Sequence, residues 1–153
     1  MKKHSDLPIL VVDDDLDDCA ILREAIDETG LVNKVFFVHD GEQLLRYLRR
    51  EAEFKNPASS PKPGLIFLDL NMPKKNGRET LIDLKNDPEL KHIPVVILTT
   101  SSNDEEVFRG YNLGVNSFIT KPVDFNSLVE VLKEIEHYWL ELVELPRKAK
   151  NDE

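Results

Sequence analysis

Four short apolar runs of the 153-residue chain each end on side chains that could do chemistry together. Asp13, Asp14 and Asp15 follow Ile9–Val12. Asp69 and then Asn71 follow Leu65–Leu68, Thr99, Thr100 and Ser101 follow Val95–Leu98, and Lys121 follows the weaker run Ser117–Thr120. If the runs lie side by side, Asp13, Asp14 and Asp69 crowd three carboxylates together. At about 4 Å and an effective dielectric near 20, each like-charge pair costs about 4 kcal/mol. Uncompensated, that repulsion drives one acid into its protonated form. A hard divalent cation on oxygen ligands removes the repulsion, and Mg²⁺ characteristically binds a few carboxylates together with phosphate and water. Lys121 adds a second positive charge and Thr99 a hydroxyl donor. An oxyanion arriving there would be stabilised by the ion, the ammonium, the hydroxyl and backbone N–H groups, which is most of what phosphoryl transfer requires. Asp69 is then the nucleophile of a covalent aspartyl-phosphate step.

The elements that must position these groups are legible as a pattern. Ile9–Val12, Val35–Val38, Leu65–Leu68 and Val95–Leu98 are continuous, rich in β-branched and aromatic residues, and predict strands covered on both faces; Ser117–Thr120 predicts a fifth. Helical spacing fills the intervals. Leu16 to Thr29 turns Ile21, Leu22, Ala25 and Ile26 inward and stops at Gly30. Gly41 to Arg50 turns Leu44, Leu45 and Leu48 inward. Arg78 to Asn86 carries Leu81, Ile82 and Leu84. Asp104 to Leu113 is capped by Asn103 and stopped by Gly114, and a long last helix runs from about Asn126 to Leu145. Strand and helix alternate five times, which predicts an α/β fold with a parallel central sheet between helical layers. In such sheets ligands bind beyond the carboxyl ends of the strands, where the four polar groups fall. The stretch from Phe54 to Gly64, rich in Pro and Ser, predicts an exposed loop.

Composition excludes several classes of function. The net charge is −9, which argues against direct nucleic-acid binding. Arg46, Arg49 and Arg50, and Arg147, Lys148 and Lys150, read as solvated surface. No apolar run reaches membrane-spanning or signal-peptide length, and the single cysteine, Cys19, excludes an internal disulfide; a reducing cytoplasm fits. Cys19 and His137 read as structural, and Asp15, Asp17 and Asp18 as acids favoured by a helix N-terminus. Each motif alone has an equally plain structural explanation. Agreement among the ends of four strands favours the chemistry.

Val11-Val12-Asp13-Asp14, the segment Phe67 to Pro73 (Phe-Leu-Asp-Leu-Asn-Met-Pro), Ile97-Leu98-Thr99-Thr100 and Ile119-Thr120-Lys121-Pro122 together resemble a bacterial response-regulator receiver domain over about Pro8 to Ile135. The resemblance implies a doubly wound, flavodoxin-like five-stranded parallel sheet of order 2-1-3-4-5 with five helices. It implies Asp69 as phosphoacceptor, taking its phosphoryl group from a histidine of a sensor kinase. Asp14, Asp69 and the Asn71 backbone carbonyl would hold Mg²⁺, with Asp13 acting through water and Lys121 pairing with the phosphoryl group across a cis Lys121–Pro122 bond. Thr99 and Phe118 would form the switch pair that remodels the surface around the fourth helix, fifth strand and last helix. Asn71 and Ser101, two residues past Asp69 and Thr99, would border the path of hydrolytic water.

The receiver domain is expected over residues 1–146, followed by a charged, disordered tail over 147–153. The extended last helix, with Tyr138, Trp139, Leu142 and Val143, and the segment Asn116 to Val123 resemble small single-domain regulators that serve bacterial phytochrome kinases, the cyanobacterial ones especially. The apolar end of that helix needs cover, from its own domain or, as preferred here, from a second copy in a two-fold homodimer. An output through an unidentified downstream protein follows, with no nucleic acid and no membrane involved. The competing class is a haloacid-dehalogenase-like Mg²⁺-dependent phosphatase. That chemistry wants an acid two residues after the nucleophile, where Asn71 stands.

Overall fold

The computed structural model describes residues 6–69, 77–99, 114 and 117–142, with the side chains of 99 and 142 left out. The apolar runs form strands β1 (Ile9–Val12), β2 (Val35–Val38), β3 (Leu65–Leu68), β4 (Val95–Thr99) and β5 (Ser117–Thr120), all parallel, in the order β2-β1-β3-β4-β5. The order expected from the resemblance is the order found. β1 and β3, which carry the acids, are neighbours with Val12 opposite Leu68, and β4 pairs with β5 with Thr99 opposite Thr120.

Successive strand residues point to opposite faces, and each face has its own core. Leu10, Val12, Ile66, Leu68, Val95 and Ile97 pack with Leu44, Leu45, Tyr47, Leu81 and Leu84 from helices α2 (Gly41–Arg49) and α3 (Gly77–Asn86). Ile9, Val11, Leu65, Phe67, Val96 and Leu98 pack with Leu22, Ala25, Ile26, Leu128, Leu132 and Ile135 from α1 (Leu16–Thr29) and α4 (Phe125–His137). This two-sided burial explains why the strands read as continuous apolar runs.

Caps set the helix limits. Asp15 accepts the Asp17 and Asp18 N–H groups at the start of α1, Asp40 accepts from Gln43 N–H at α2, and Asp124 accepts from Ser127 N–H at α4. Gly30, at φ 77°, ends α1 in the left-handed conformation. The helix expected over 104–113, with its Asn103 cap, lies outside the described residues, which contain four α-helices.

Some expectations are corrected. Ile21 and Ile82 are 46% and 42% exposed, since each sits one residue, about 100° of helix, from the inward stripe. The last helix ends at His137 and continues as a π-helical turn, Tyr138–Leu142. Trp139 and Leu140, 8% and 0% exposed, join the α1/α4 core of their own chain, while Tyr138 stays 51% exposed. No peptide bond among the described residues is cis, so Lys121–Pro122 is trans, the isomer an X–Pro bond intrinsically favours by about 0.5–1 kcal/mol.

The Pro/Ser loop is exposed over residues 55–59, as expected, and is anchored at its end. Ser60 and Pro63 are buried, and the Tyr47 hydroxyl donates to the Pro61 carbonyl at 2.8 Å. Gly64 donates to Pro8 O and lies so close to Leu7 that a Cβ there would meet Leu7 Cβ at 2.9 Å. Burial, against the milder pull of the Arg50 charge, pushes the Tyr47 hydroxyl from 10.0 up to about 12. A group whose folded pKa is raised stabilises fully below its unfolded pKa and loses that stabilisation as pH climbs through the folded one. Tyr47 therefore costs the protein roughly 2–3 kcal/mol across the interval from 10.0 to about 12. Tyr47→Phe is expected to remove most of this alkaline loss and to cost about 1 kcal/mol at neutral pH through the missing hydrogen bond. Urea unfolding near neutrality and near the upper end of the interval checks both signs.

Candidate functional site

The sheet brings the acids together through its own ladder. Asp13 N–H donates to Val38 O at 3.1 Å and Asp69 N–H to Val12 O at 3.0 Å, so both residues sit on the last rungs at the carboxyl edge. Asp13, Asp14 and Asp69 each offer a carboxylate oxygen, and these oxygens lie within 4.8 Å of one another. Asp13 is buried at 2% exposure and the other two are half-buried. Three hard oxygen donors converging in this way fit a divalent cation of the Mg²⁺ or Mn²⁺ kind, held by few carboxylates with room for water.

Lys121 reaches the cluster from the end of β5. Its Nζ lies 3.0 Å from Asp13 Oδ2, 3.0 Å from Asp18 Oδ2 and 3.9 Å from Asp69 Oδ2. Asp13 Oδ1 also accepts the Asp15 N–H at 3.0 Å. Burial raises the Asp13 pKa, and the Asp69 charge adds to that, against the opposing pull of the Asp15 N–H and Lys121. For Lys121, burial favours the neutral amine, but the bonds to Asp13 and Asp18 and the charge of Asp69 prevail and hold the pKa above the usual lysine value. An acid that burial pushes toward protonation beside like charges is a group that gains from a cation.

Of the expected site residues, Asp13, Asp14, Asp69 and Lys121 are brought together. Thr99 closes β4 at the same edge, one strand from Lys121, with its side chain outside the description. Asn71, Thr100 and Ser101 lie outside the described residues. Phe118 is half-buried against the α2/α3 core. Cys19 is buried, with Sγ 3.4 Å from the Asp13 backbone oxygen, and burial pushes its thiol up to about 11, which disfavours the reactive thiolate. His137 pairs with Glu141 on the surface, away from the acids. Asp15 is the N-cap of α1. The missed residue is Asp18: it looks like an ordinary first-turn acid, and only the placement of Lys121 across from it shows otherwise.

A parallel five-stranded sheet with acids at the tips of β1 and β3 and a lysine at the tip of β5 defines a receiver-type site, and residues 9–133 match the response regulator receiver domain family. The chain belongs to that family. It is 41% identical over 138 residues to response regulator Rcp1 of Synechocystis sp., covering 90% of this chain and 92% of that protein. Its fold matches the crystal structure of the phosphorylated cyanobacterial phytochrome response regulator RcpA with a TM-score of 0.84 and 42% identity over 93% of this chain and 99% of that one. The Mn²⁺-bound form of Rcp1 matches with a TM-score of 0.81 and 39% identity, covering 92% and 99%. The family match leaves the phosphatase alternative without support.

Proposed function

We propose that this chain is a cytoplasmic single-domain response regulator that accepts a phosphoryl group on Asp69 from a phosphohistidine of a phytochrome-type sensor kinase. The carrying observation is the convergence of Asp13, Asp14 and Asp69 with the Lys121 ammonium at one edge of the sheet. An Asp69 carboxylate oxygen attacks phosphorus, the N–P bond of the donor breaks, and its electron pair leaves with the imidazole, which is protonated. Lys121 offers positive charge to the phosphoryl oxygens, and Thr99 is assigned the hydroxyl donor role. Asp13, Asp14, Asp69 and the Asn71 carbonyl would hold Mg²⁺, which supplies charge neutralisation for the transferring group.

The product is the chain's own phosphorylated form rather than a released compound. Thr99 and Phe118 would convert it into a surface change read by a downstream protein. A phosphotransfer panel of sensor kinases checks the reading: fast transfer from a phytochrome kinase is the expected result, and sustained phosphate release from unrelated monoesters would overturn it. A two-fold homodimer through the C-terminal helix region belongs to the same proposal. With Trp139 and Leu140 covered by their own chain, it leans on Tyr138, and a monomeric sedimentation profile at micromolar concentration would remove it.

A further inference from the structure

Four hydrogen bonds close a ring around the ammonium. Asp13 Oδ1 accepts from Asp15 N–H at 3.0 Å, and Asp15 Oδ1 accepts from Asp18 N–H at 3.2 Å. Asp18 Oδ2 accepts from Lys121 Nζ at 3.0 Å, and Lys121 Nζ donates back to Asp13 Oδ2 at 3.0 Å. The capping residue of α1 thus fixes the backbone of Asp18, and Asp18 draws the cation toward α1. Asp69 Oδ2, at 3.9 Å, is within ion-pair range of Nζ but beyond hydrogen-bond distance.

We propose that Asp18 is a positioning residue for phosphoryl acceptance, holding the Lys121 ammonium off the Asp69 carboxylate until a phosphoryl group arrives. The inference rests on the assignment of Asp69 as acceptor. An ammonium has three N–H donors. Two are taken by Asp13 and Asp18, which leaves the third for an incoming oxygen. Without Asp18, the next carboxylate within reach of Lys121 is that of Asp69, already 3.9 Å from Nζ. A lysine closed onto Asp69 would blunt the attacking oxygen and compete with a divalent ion for the same carboxylate. Lys121 is only 10% exposed at its side chain, so solvent does little to weaken that competition. Asp18 lies outside the three-acid cluster, and its effect must therefore pass largely through Lys121.

A double-mutant cycle tests this with Asp18→Asn, Lys121→Ala and their combination, in the full chain. Two quantities are read: the affinity for Mg²⁺ alone by calorimetry, and the initial rate of phosphoryl uptake from acetyl phosphate at saturating Mg²⁺. Asp18→Asn is expected to weaken Mg²⁺ binding and slow uptake by about tenfold each when Lys121 is present. In the Lys121→Ala background it should change Mg²⁺ affinity by less than about threefold. Asp18→Glu, which keeps the charge, should recover most of both. Equal effects of Asp18→Asn in the two backgrounds, or no effect beside intact Lys121, would overturn the positioning role. Asp69→Asn separates the two failures: uptake persisting in that variant sinks the acceptor assignment and this inference together, whereas an inert Asp69→Asn beside additive Asp18 and Lys121 effects sinks this inference alone.

Discussion

Asp69→Asn is expected to fold at least as stably as the parent chain and to lose phosphoryl uptake from acetyl phosphate and Mg²⁺ by a factor on the order of 10³ or more, the scale of removing a nucleophile. The substitution keeps the shape of the side chain and replaces an attacking carboxylate oxygen with an amide that does not attack phosphorus. It also removes one of three negative charges whose oxygens lie within 4.8 Å, relieving repulsion with Asp13 and Asp14 that outweighs the lost attraction to Lys121 at 3.9 Å when no divalent ion is bound. Stability and activity thus move in opposite directions, which separates a lost nucleophile from a damaged fold. Intact-mass measurement after incubation with acetyl phosphate reads the uptake, and urea unfolding without divalent ion reads the stability. Undiminished uptake would show that Asp13 or Asp14 accepts the group, and the account of the site would have to be rebuilt around that acid.

Leu140→Ala is expected to lower stability by about 2–5 kcal/mol, a large part of what a domain of this size possesses. Leu140 is fully buried, beyond the regular end of α4 in the π-helical turn, and belongs to the same cluster as Leu22, Ile26 and Leu132. The turn carries Trp139 inward as well, while Tyr138, packed edge-on to Trp139 with ring centroids 5.3 Å apart, faces outward. Thr29 Oγ1 adds a polar tie between the helices, donating to Glu136 Oε2 at 2.7 Å. If the segment served chiefly as a surface for another copy, Leu140→Ala would alter the oligomeric state with little effect on monomer unfolding. A loss below about 1 kcal/mol in urea would therefore contradict its place in the core.

The sheet was legible because burial on both faces leaves an unambiguous trace: Ile9–Val12 and Leu65–Leu68 are apolar throughout, and their first polar residues mark the edge where the acids gather. Lys121 was legible from a weaker signal, the short half-buried run Ser117–Thr120 that it follows. What escaped depended on groups far apart in sequence. Asp18 and Asp17 look alike as first-turn acids, and nothing local says that one of them meets a lysine 103 residues later. Ile21 and Ile82 adjoin inward residues, and composition alone does not resolve a single step around a helix. The Pro/Ser loop is exposed over residues 55–59, as its polar and small residues led one to expect; its anchoring at Ser60 and Pro63 was not legible. Its anchoring comes from Tyr47, whose hydroxyl needed an acceptor once the ring was buried. Trp139 was expected under a second copy in preference to its own domain, and its own core covers it, since an apolar residue declares that it will be covered but not by what.

The backbone amide of Asp69 is fastened to Val12 of β1 in the middle of the sheet, and that of Asp13 to Val38 of the edge strand β2. The backbones that carry these two acids therefore cannot part without separating β1 from β3 in the middle of the sheet. Folding itself does the electrostatic work of assembling them, once, and holds the result as standing tension. A cation that binds among these acids only in the folded chain relieves that tension and raises the melting temperature as its concentration rises. The chain is in this sense a mechanical spring already compressed when it meets its ion, and its thermal stability should register how much of that ion the surrounding solution contains.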